Sequence, residues 1–155
     1  NHINFGGSGG GEVIYSIRGT RQLPQMIAEE LKKEGLPIRN VYTRIGSQGR
    51  DFYFILRQTA PNNAMIIEYG FADNDADIKR LLYEWPRLAE AVVRAVATYF
   101  EVPVTPSQTI IHIVQPGESL FSIGKLYSVP IDRIKEDNRL TSDIIYPGAE
   151  LIVRR

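Results

Sequence analysis

A proline-containing break in the last third of the chain constrains its fold more than any other feature. The stretch "EVPVTPSQT" (101–109) holds two prolines and small polar residues and has no helical period, which is typical of a linker. The segment after it, 110–155, is close to the lower size limit for a domain that folds by itself. We therefore expect two domains, 1–100 and 110–155, joined by a linker over 101–109.

The carboxy-terminal segment has the pattern of a complete small βααβ motif. The strand "TIIHIV" (109–114) is followed by the turn "QPGES", the helix "LFSIGKLY", a second helix starting near Pro130, and the closing strand "AELIVRR". His112 lies in the middle of the first strand, so we interpret it as a structural residue rather than a ligand.

This segment resembles a LysM domain over its whole length. The matching features are the "QPGESL" turn, the helix pair "SIGKLYSVPIDRIKEDN" and the end "DIIYPGAELIV". The family binds glycans that contain N-acetylglucosamine, such as peptidoglycan or chitin. The resemblance therefore implies a partner in the cell wall and a shallow groove between 116–120 and 138–147.

The residues of these two loops can serve such a groove. Backbone groups around Gly117 and Ile145 can hydrogen-bond an acetamido group, and Leu120 or Tyr146 can pack on a sugar face. The alternative, that Gly117 is only a turn glycine and Ile145 a core residue, stays open. The expected glycan-binding residues are Pro116, Gly117, Glu118, Ser119, Leu120, Asn138, Ile145, Tyr146 and Pro147.

The first 100 residues alternate between strands and helices. The pattern predicts strands over 12–17, 51–57 and 64–69, a helix over 21–34, a short helix capped by Asp73 or Asn74, and a long helix from Pro86 whose stripe is Leu88, Ala89, Val92, Val93, Val96 and Phe100. Alternating elements of this kind favour a three-layer α/β arrangement, a twisted sheet with flanking helices.

This part resembles the zinc-dependent N-acetylmuramoyl-L-alanine amidases of amidase type 3, enzymes of bacterial cell-wall lysis. The resemblance rests on "NHIN", "GGEVIYS", "FILRQT" and "MIIEYGFADNDADIKRL", in that order. It implies that His2 is a zinc ligand and that Glu68 is the carboxylate assisting the metal-bound water. Asn4 and Arg57 are expected to support the pocket.

The chemistry of Glu68 and His2 is compatible with this assignment. A hydrolytic zinc takes three protein ligands and a water, and a carboxylate beside that water can move its proton to the leaving amine. Glu68 ends an apolar strand, where a lone buried carboxylate is costly, which favours a site. The alternative is a carboxylate satisfied by an arginine such as Arg57 or by backbone N–H groups.

The chain departs from the family in lacking the other two expected zinc ligands. The family's histidine of an "HGG"-type motif and its helical glutamate precede the "HxN" motif, and neither occurs in this sequence. We therefore expect the latter half of an amidase domain, without the first strands of its sheet. A missing amino-terminal segment or a separate chain would complete the site.

Composition and motifs argue against several other functions. Lys plus Arg and Asp plus Glu number 18 each, so no basic surplus indicates nucleic acid. The chain has no cysteine, which excludes disulfides and thiolate metal sites, and no apolar run of about 18 residues predicts a membrane span. The glycine run lacks the "GK[ST]" ending of a phosphate loop, and "DNDADIKRLLYE" has Ile78 where a calcium loop needs glycine.

Two hypotheses follow from these patterns. The first is a secreted, cell-wall amidase that cuts the bond between N-acetylmuramic acid and L-alanine and is held on the glycan by its LysM domain. The second is a non-catalytic peptidoglycan-binding protein with an incomplete amidase scaffold.

Overall fold

The computed structural model divides the chain into two compact units. It describes residues 2–6, 9–59, 63–104 and 109–154, with only the backbone of His2. One unit comprises Asn1–Leu81 and Arg87–Val104, and the other comprises Leu82–Pro86 and Thr105–Arg155. Within the described ranges, no helix is long and apolar enough to cross a membrane.

The amino-terminal unit is built on a four-stranded mixed sheet in the order β1-β4-β2-β3. Its elements are β1 (His2–Asn4), β2 (Gly11–Tyr15), α1 (Gln22–Lys33), β3 (Ile38–Tyr42), α2 (Phe54–Gln58), β4 (Met65–Phe71), α3 (Asp75–Tyr83) and α4 (Trp85–Tyr99). Strand β1 is parallel to β4 and β2 is parallel to β3, whereas β2 and β4 are antiparallel.

Both long helices pack on the same face of this sheet. Leu23, Ile27 and Leu31 recur every four residues along α1 and are buried against the sheet residues Val13 and Ile67. Leu88, Ala91 and Ala95 of α4 belong to the same core. The three-layer arrangement expected from the alternating pattern is therefore not confirmed, because α1 and α4 form one helical layer together.

An ionic cluster joins these two helices at their exposed edges. Arg94 of α4 donates to Glu30 at 3.0 Å and to Glu34 at 2.7 Å, both at the end of α1. Hydrogen bonds from Lys33 and Arg94 hold the pKa of Glu30 below its usual range. The cluster therefore stabilises the packing of α1 against α4 at pH values above the ordinary titration range of a glutamate. This stabilisation is lost as the pH falls through the lowered pKa of Glu30.

The strand expected over 51–57 is wrong. Asp51 makes only an isolated bridge with Ile45, and Phe54–Gln58 is helical. Asp51 is instead buried and accepts hydrogen bonds from the Ser16 hydroxyl and the Ile17 amide, both at 2.8 Å. These two hydrogen bonds hold the Asp51 backbone beside the end of β2 as a turn, so this segment does not pair as a strand of the sheet.

The apolar stripe expected along α4 is only partly correct. Leu88 is buried and Val92 and Val96 pack against the core, but Val93 and Phe100 are 57% and 60% exposed and Ala89 is exposed. Ala91 and Ala95 occupy the core positions instead, because small residues let the helix lie close to α1 and the sheet.

The carboxy-terminal unit confirms the strand–helix–helix–strand order. It consists of β5 (Thr109–Ile113), α5 (Leu120–Tyr127), α6 (Ile131–Asn138) and β6 (Glu150–Arg154), with β5 and β6 antiparallel. Ser119 caps α5 by accepting from the Ser122 amide in a capping box. Both helices pack their apolar residues on the two strands, and the buried set is Val114, Leu120, Ile123, Val129, Ile134, Leu151 and Val153.

Gly124 allows α5 to contact the start of α6. Its carbonyl accepts from the Val129 amide, and a Cβ at this position would lie 2.7 Å from the Val129 carbonyl oxygen. Alanine is the better helix former by about 1 kcal/mol, but here it must push backbone apart. We expect Gly124→Ala to lower the free energy of unfolding of this unit by roughly 2 kcal/mol, measured by urea denaturation.

Gly148→Ala serves as the matched control. Gly148 has φ +87° but no atom within 4 Å of an added Cβ, so the substitution costs about 1 kcal/mol of conformational strain only. A Gly124→Ala protein as stable as the wild type would show that Gly124 does not set the spacing of the two helices.

Candidate functional site

Two loops meet at one end of the carboxy-terminal unit. The Val114 amide donates to the Ala149 carbonyl at 2.9 Å, and the Gly148 amide donates to the Val114 carbonyl at 2.8 Å. These bonds place the turn that follows β5 beside the loop that precedes β6. The structure therefore brings together the two segments from which the sequence predicts a groove.

The turn after β5 depends on Gly117 and on the carboxylate of Glu118. The Glu118 amide donates to the Gln115 carbonyl at 3.1 Å, and Gly117 has φ +87°, a conformation that favours glycine. Glu118 Oε2 accepts from the Gln115 amide at 2.8 Å and lies 2.7 Å from His112 Nε2. The Glu118 side chain thus fixes the turn by bonding both its first residue and the strand before it.

Two of the expected glycan contacts have structural roles. The Leu120 side chain is 2% exposed, so the expectation that it packs on a sugar face is wrong: helix α5 buries it in the core. The Asn138 side chain donates through Nδ2 to the Ile134 and Ile152 carbonyls and accepts through Oδ1 from the Ile152 backbone amide. It ties the end of α6 to β6.

The remaining predicted residues are divided between surface and core. Pro116, Ser119 and Pro147 are exposed. Ile145 is half-buried and packs against the core, which agrees with the alternative that it is a core residue. Tyr146 is 71% exposed, so its ring remains available on the surface.

In the amino-terminal unit, Glu68 lies between two residues of neighbouring strands. Its register partner on β1 is His2 and its partner on β2 is Glu12. Glu12 and Glu68, which are paired across antiparallel strands, share a face of the sheet, and Glu68 is only 6% exposed. The side chain of His2 lies outside the described part of the structure, so its role as a zinc ligand stays a prediction.

Glu12 is a neighbour of Glu68 that the motifs did not reveal. The Tyr42 hydroxyl donates to Glu12 Oε2 at 3.3 Å. Burial, hydrogen bonding with Tyr53 and the charge of Glu12 raise the pKa of Tyr42, so this hydroxyl stays a donor to higher pH than an ordinary tyrosine does. The position of Glu12 directly after the glycine run was a sequence signal for a residue near the site. Only the strand register shows that Glu12 is the neighbour of Glu68.

The acidic residues after β4 anchor the glycine-rich loop. Asp77 Oδ2 accepts from the Gly10 amide at 2.8 Å and from the Phe71 amide at 2.9 Å. The Asp73 carboxylate accepts from the Gly6 amide at 3.1 and 3.0 Å. These carboxylates therefore hold the glycine-rich loop against the start of α3.

Asn4 and Arg57 make local contacts. The Asn4 side chain accepts from the Phe5 amide at 2.9 Å, and Arg57 Nη1 donates to the carbonyls of Asp51 and Phe52 at 2.9 and 2.6 Å. Asn4 thus holds the residue that follows β1, and Arg57 of α2 holds the backbone that precedes its own helix. Their expected support of a pocket stays a prediction.

The described side chains do not form a zinc site. Over the described ranges, no group of three or more His, Cys, Asp or Glu residues is placed to hold a metal ion. A zinc ion bound beside Glu68 would therefore need ligands in addition to these residues.

The family model for the LysM domain matches residues 112–154. The chain is also 34% identical over 62 residues to the uncharacterized protein YkzQ of Bacillus subtilis, covering 79% of YkzQ and 40% of the chain itself. The chain belongs to the family of LysM-domain proteins. LysM domains bind peptidoglycan and related cell-wall glycan.

Other similarities cover smaller parts of the proteins compared. The N-acetylmuramoyl-L-alanine amidase sle1 of Staphylococcus aureus is 43% identical over 42 residues, a LysM-sized segment that is 27% of this chain and 13% of sle1. The structure of Cwp6 from Clostridium difficile has a TM-score of 0.52 and 19% identity, over 66% of this chain and 17% of Cwp6. Similarity at that identity shows the fold alone.

The LysM domain presents three exposed apolar side chains around its two loops. Tyr146 and Ile144, 71% and 66% exposed, belong to the loop before β6, and Phe121, 69% exposed, belongs to the first turn of α5. Phe121 and Ile144 were absent from the expected contacts. In "SLFSIG" and "DIIYPG" two apolar residues adjoin each other, and the sequence alone did not show which one faces the core.

Proposed function

We propose that the LysM domain of this protein binds the N-acetylglucosamine-containing glycan of bacterial peptidoglycan. The observation that carries the proposal is the pairing of the two loops through Val114, with Tyr146 exposed beside them. A shallow groove between these loops would be edged by backbone amides and carbonyls and by an aromatic ring, which would match the acetamido groups and apolar faces of a sugar chain.

The contacts within this groove are of two kinds. Backbone groups near Gly117 and Ile145 would hydrogen-bond the acetamido groups, and the ring of Tyr146 would pack on a sugar face. Pro116, Ser119 and Pro147 would shape the edge without moving, since prolines and a helix cap are already rigid. A rigid groove loses little conformational entropy on binding.

Tyr146→Ala should weaken glycan binding about tenfold, because it removes the ring that would cover the sugar. The measurement is isothermal titration calorimetry of the full chain with an N-acetylglucosamine hexamer, together with sedimentation with purified peptidoglycan. Tyr146→Phe is the matched control and should bind within about twofold of the wild type, because the ring remains. A wild-type chain that neither sediments with peptidoglycan nor binds the hexamer would refute the proposed function.

As a second candidate function, we propose that the amino-terminal unit is part of a zinc-dependent N-acetylmuramoyl-L-alanine amidase. The favouring observation is the register of His2 beside Glu68, next to a glycine-rich loop held by Asp73 and Asp77. When bound, zinc would supply a polarised water. Its other ligands would come from a histidine and a glutamate in an upstream segment or in another chain.

In that enzyme Glu68 would carry the proton. Its carboxylate would accept a proton from the attacking water and pass it to the leaving amine of L-alanine. The protein would be secreted to the cell wall. There the LysM domain would hold the catalytic unit on the glycan and would raise the local concentration of the glycan-linked stem peptide.

The release of stem peptides separates this enzyme from a purely glycan-binding protein. Peptidoglycan incubated with an amidase yields new free amino groups on L-alanine, which can be labelled and identified by mass spectrometry. If the chain sediments with peptidoglycan but forms no such amino groups even when the upstream ligands are supplied, the non-catalytic alternative is correct.

A further inference from the structure

We infer that His112 is a positioning residue that fixes the glycan-binding turn of the LysM domain. Its side chain is buried in the middle of β5. The ring Nε2 lies 2.7 Å from Glu118 Oε2 in the turn, and Nδ1 lies 3.0 Å from the Tyr127 hydroxyl at the end of α5. One side chain thus links the strand, the first helix and the turn between them.

Hydrogen-bond chemistry sets the direction of each contact. An ionised carboxylate accepts only, so Nε2–H donates to Glu118. In the neutral ring Nδ1 then accepts from the Tyr127 hydroxyl. The Tyr127 ring also lies edge-to-face with the imidazole, at 5.5 Å between centroids. Both ring nitrogens of the buried His112 are satisfied in this arrangement, as buried polar groups need to be.

His112 acts on the turn through its hydrogen bond with Glu118. Glu118 Oε2 also accepts from the Gln115 amide at 2.8 Å, so the same oxygen bonds both the first residue of the turn and His112. The backbone around Pro116 and Gly117 lies between these fixed points. It supplies the predicted contacts to the acetamido group, so its conformation determines how much ordering the ligand must impose.

This inference rests on the proposed glycan binding and makes a separate prediction. His112→Phe keeps an aromatic ring against Tyr127 but removes both hydrogen bonds. We expect it to weaken binding of the N-acetylglucosamine hexamer about tenfold, the scale of losing one charge-assisted hydrogen bond. His112→Gln can still donate to Glu118, so it should recover binding to within about threefold of the wild type.

A spectroscopic readout distinguishes positioning from a general loss of stability. In the His112→Phe and Glu118→Ala variants of the whole chain, the amide resonance of Gln115 should shift and lose protection from hydrogen exchange. The amides of β6, such as Leu151, should keep theirs. The double variant should lose less binding than the sum of the two single losses, because both changes break the His112–Glu118 bond.

The outcomes separate this inference from the function on which it rests. If the wild type does not bind the hexamer, the proposed function fails. If the wild type binds and His112→Phe binds equally well, the inference alone fails. Equal losses in His112→Gln and His112→Phe would also overturn it, because hydrogen bonding to Glu118 would then not be what restores the turn.

Discussion

Asp77→Ala is expected to lower the free energy of unfolding of the amino-terminal unit by about 3–4 kcal/mol. The residue is 2% exposed. Its carboxylate accepts from the Gly10 and Phe71 amides and pairs with Arg80 at 3.0 Å. Removing it leaves two amides without this acceptor and releases the glycine-rich loop from α3. Urea unfolding followed by circular dichroism measures the loss.

Asp75→Ala is the control for this prediction. Asp75 lies in the same first turn of α3 but is exposed, so its removal should cost less than about 1 kcal/mol through the helix dipole alone. If both variants unfold at the same urea concentration, Asp77 does not anchor the loop and its buried contacts contribute little.

The carboxy-terminal unit was predictable because its structure is determined locally. Turn residues, caps and apolar periodicity in 109–154 all indicate the same elements, and the order β5-α5-α6-β6 follows directly. The exception is side-chain orientation at adjoining apolar pairs. Leu120 faces the core and Phe121 faces solvent, a choice that depends on where β5 and β6 place the core.

The amino-terminal unit was less predictable because distant contacts decide its structure. The stretch "DFYFILR" has the composition of a strand, yet Asp51 is held by Ser16, which lies 35 residues earlier in the chain. Strand β3, "IRNVY", was missed because Arg39 and Asn40 are exposed at the sheet edge. Neither pairing has a signal within a short window of sequence.

The candidate sites show the same division between local motif and distant partner. The motifs identified His2 and Glu68 as candidates, and β1 and β4 place them in register. They did not identify Glu12, whose position depends on the antiparallel pairing of β2 and β4. In the LysM domain, the inward roles of Glu118 and Asn138 likewise depend on partners in other elements, His112 and Ile152.

Glu68→Gln is expected to lower the rate of stem-peptide release by about 10²–10⁴-fold if the amino-terminal unit is part of an amidase. The amide has nearly the shape of the carboxylate but cannot accept a proton from water. The assay needs the upstream histidine and helical glutamate to be present, in the same chain or added as another, and follows new amino groups on L-alanine. The zinc content of the variant should equal that of the wild type. A lower rate at unchanged zinc content shows that the proton carrier was lost and not the ion.

Glu12→Gln is the matched control, since Glu12 lies opposite Glu68 on the same sheet face. Its carboxylate accepts from Tyr42, and a glutamine oxygen can accept the same bond, so both the fold and the hydroxyl contact should survive. We expect release within about threefold of the wild type. If Glu12→Gln abolishes release while Glu68→Gln does not, the proton carrier is Glu12 and the assignment from the motif is wrong. If neither change affects release, the reaction does not use this face of the sheet.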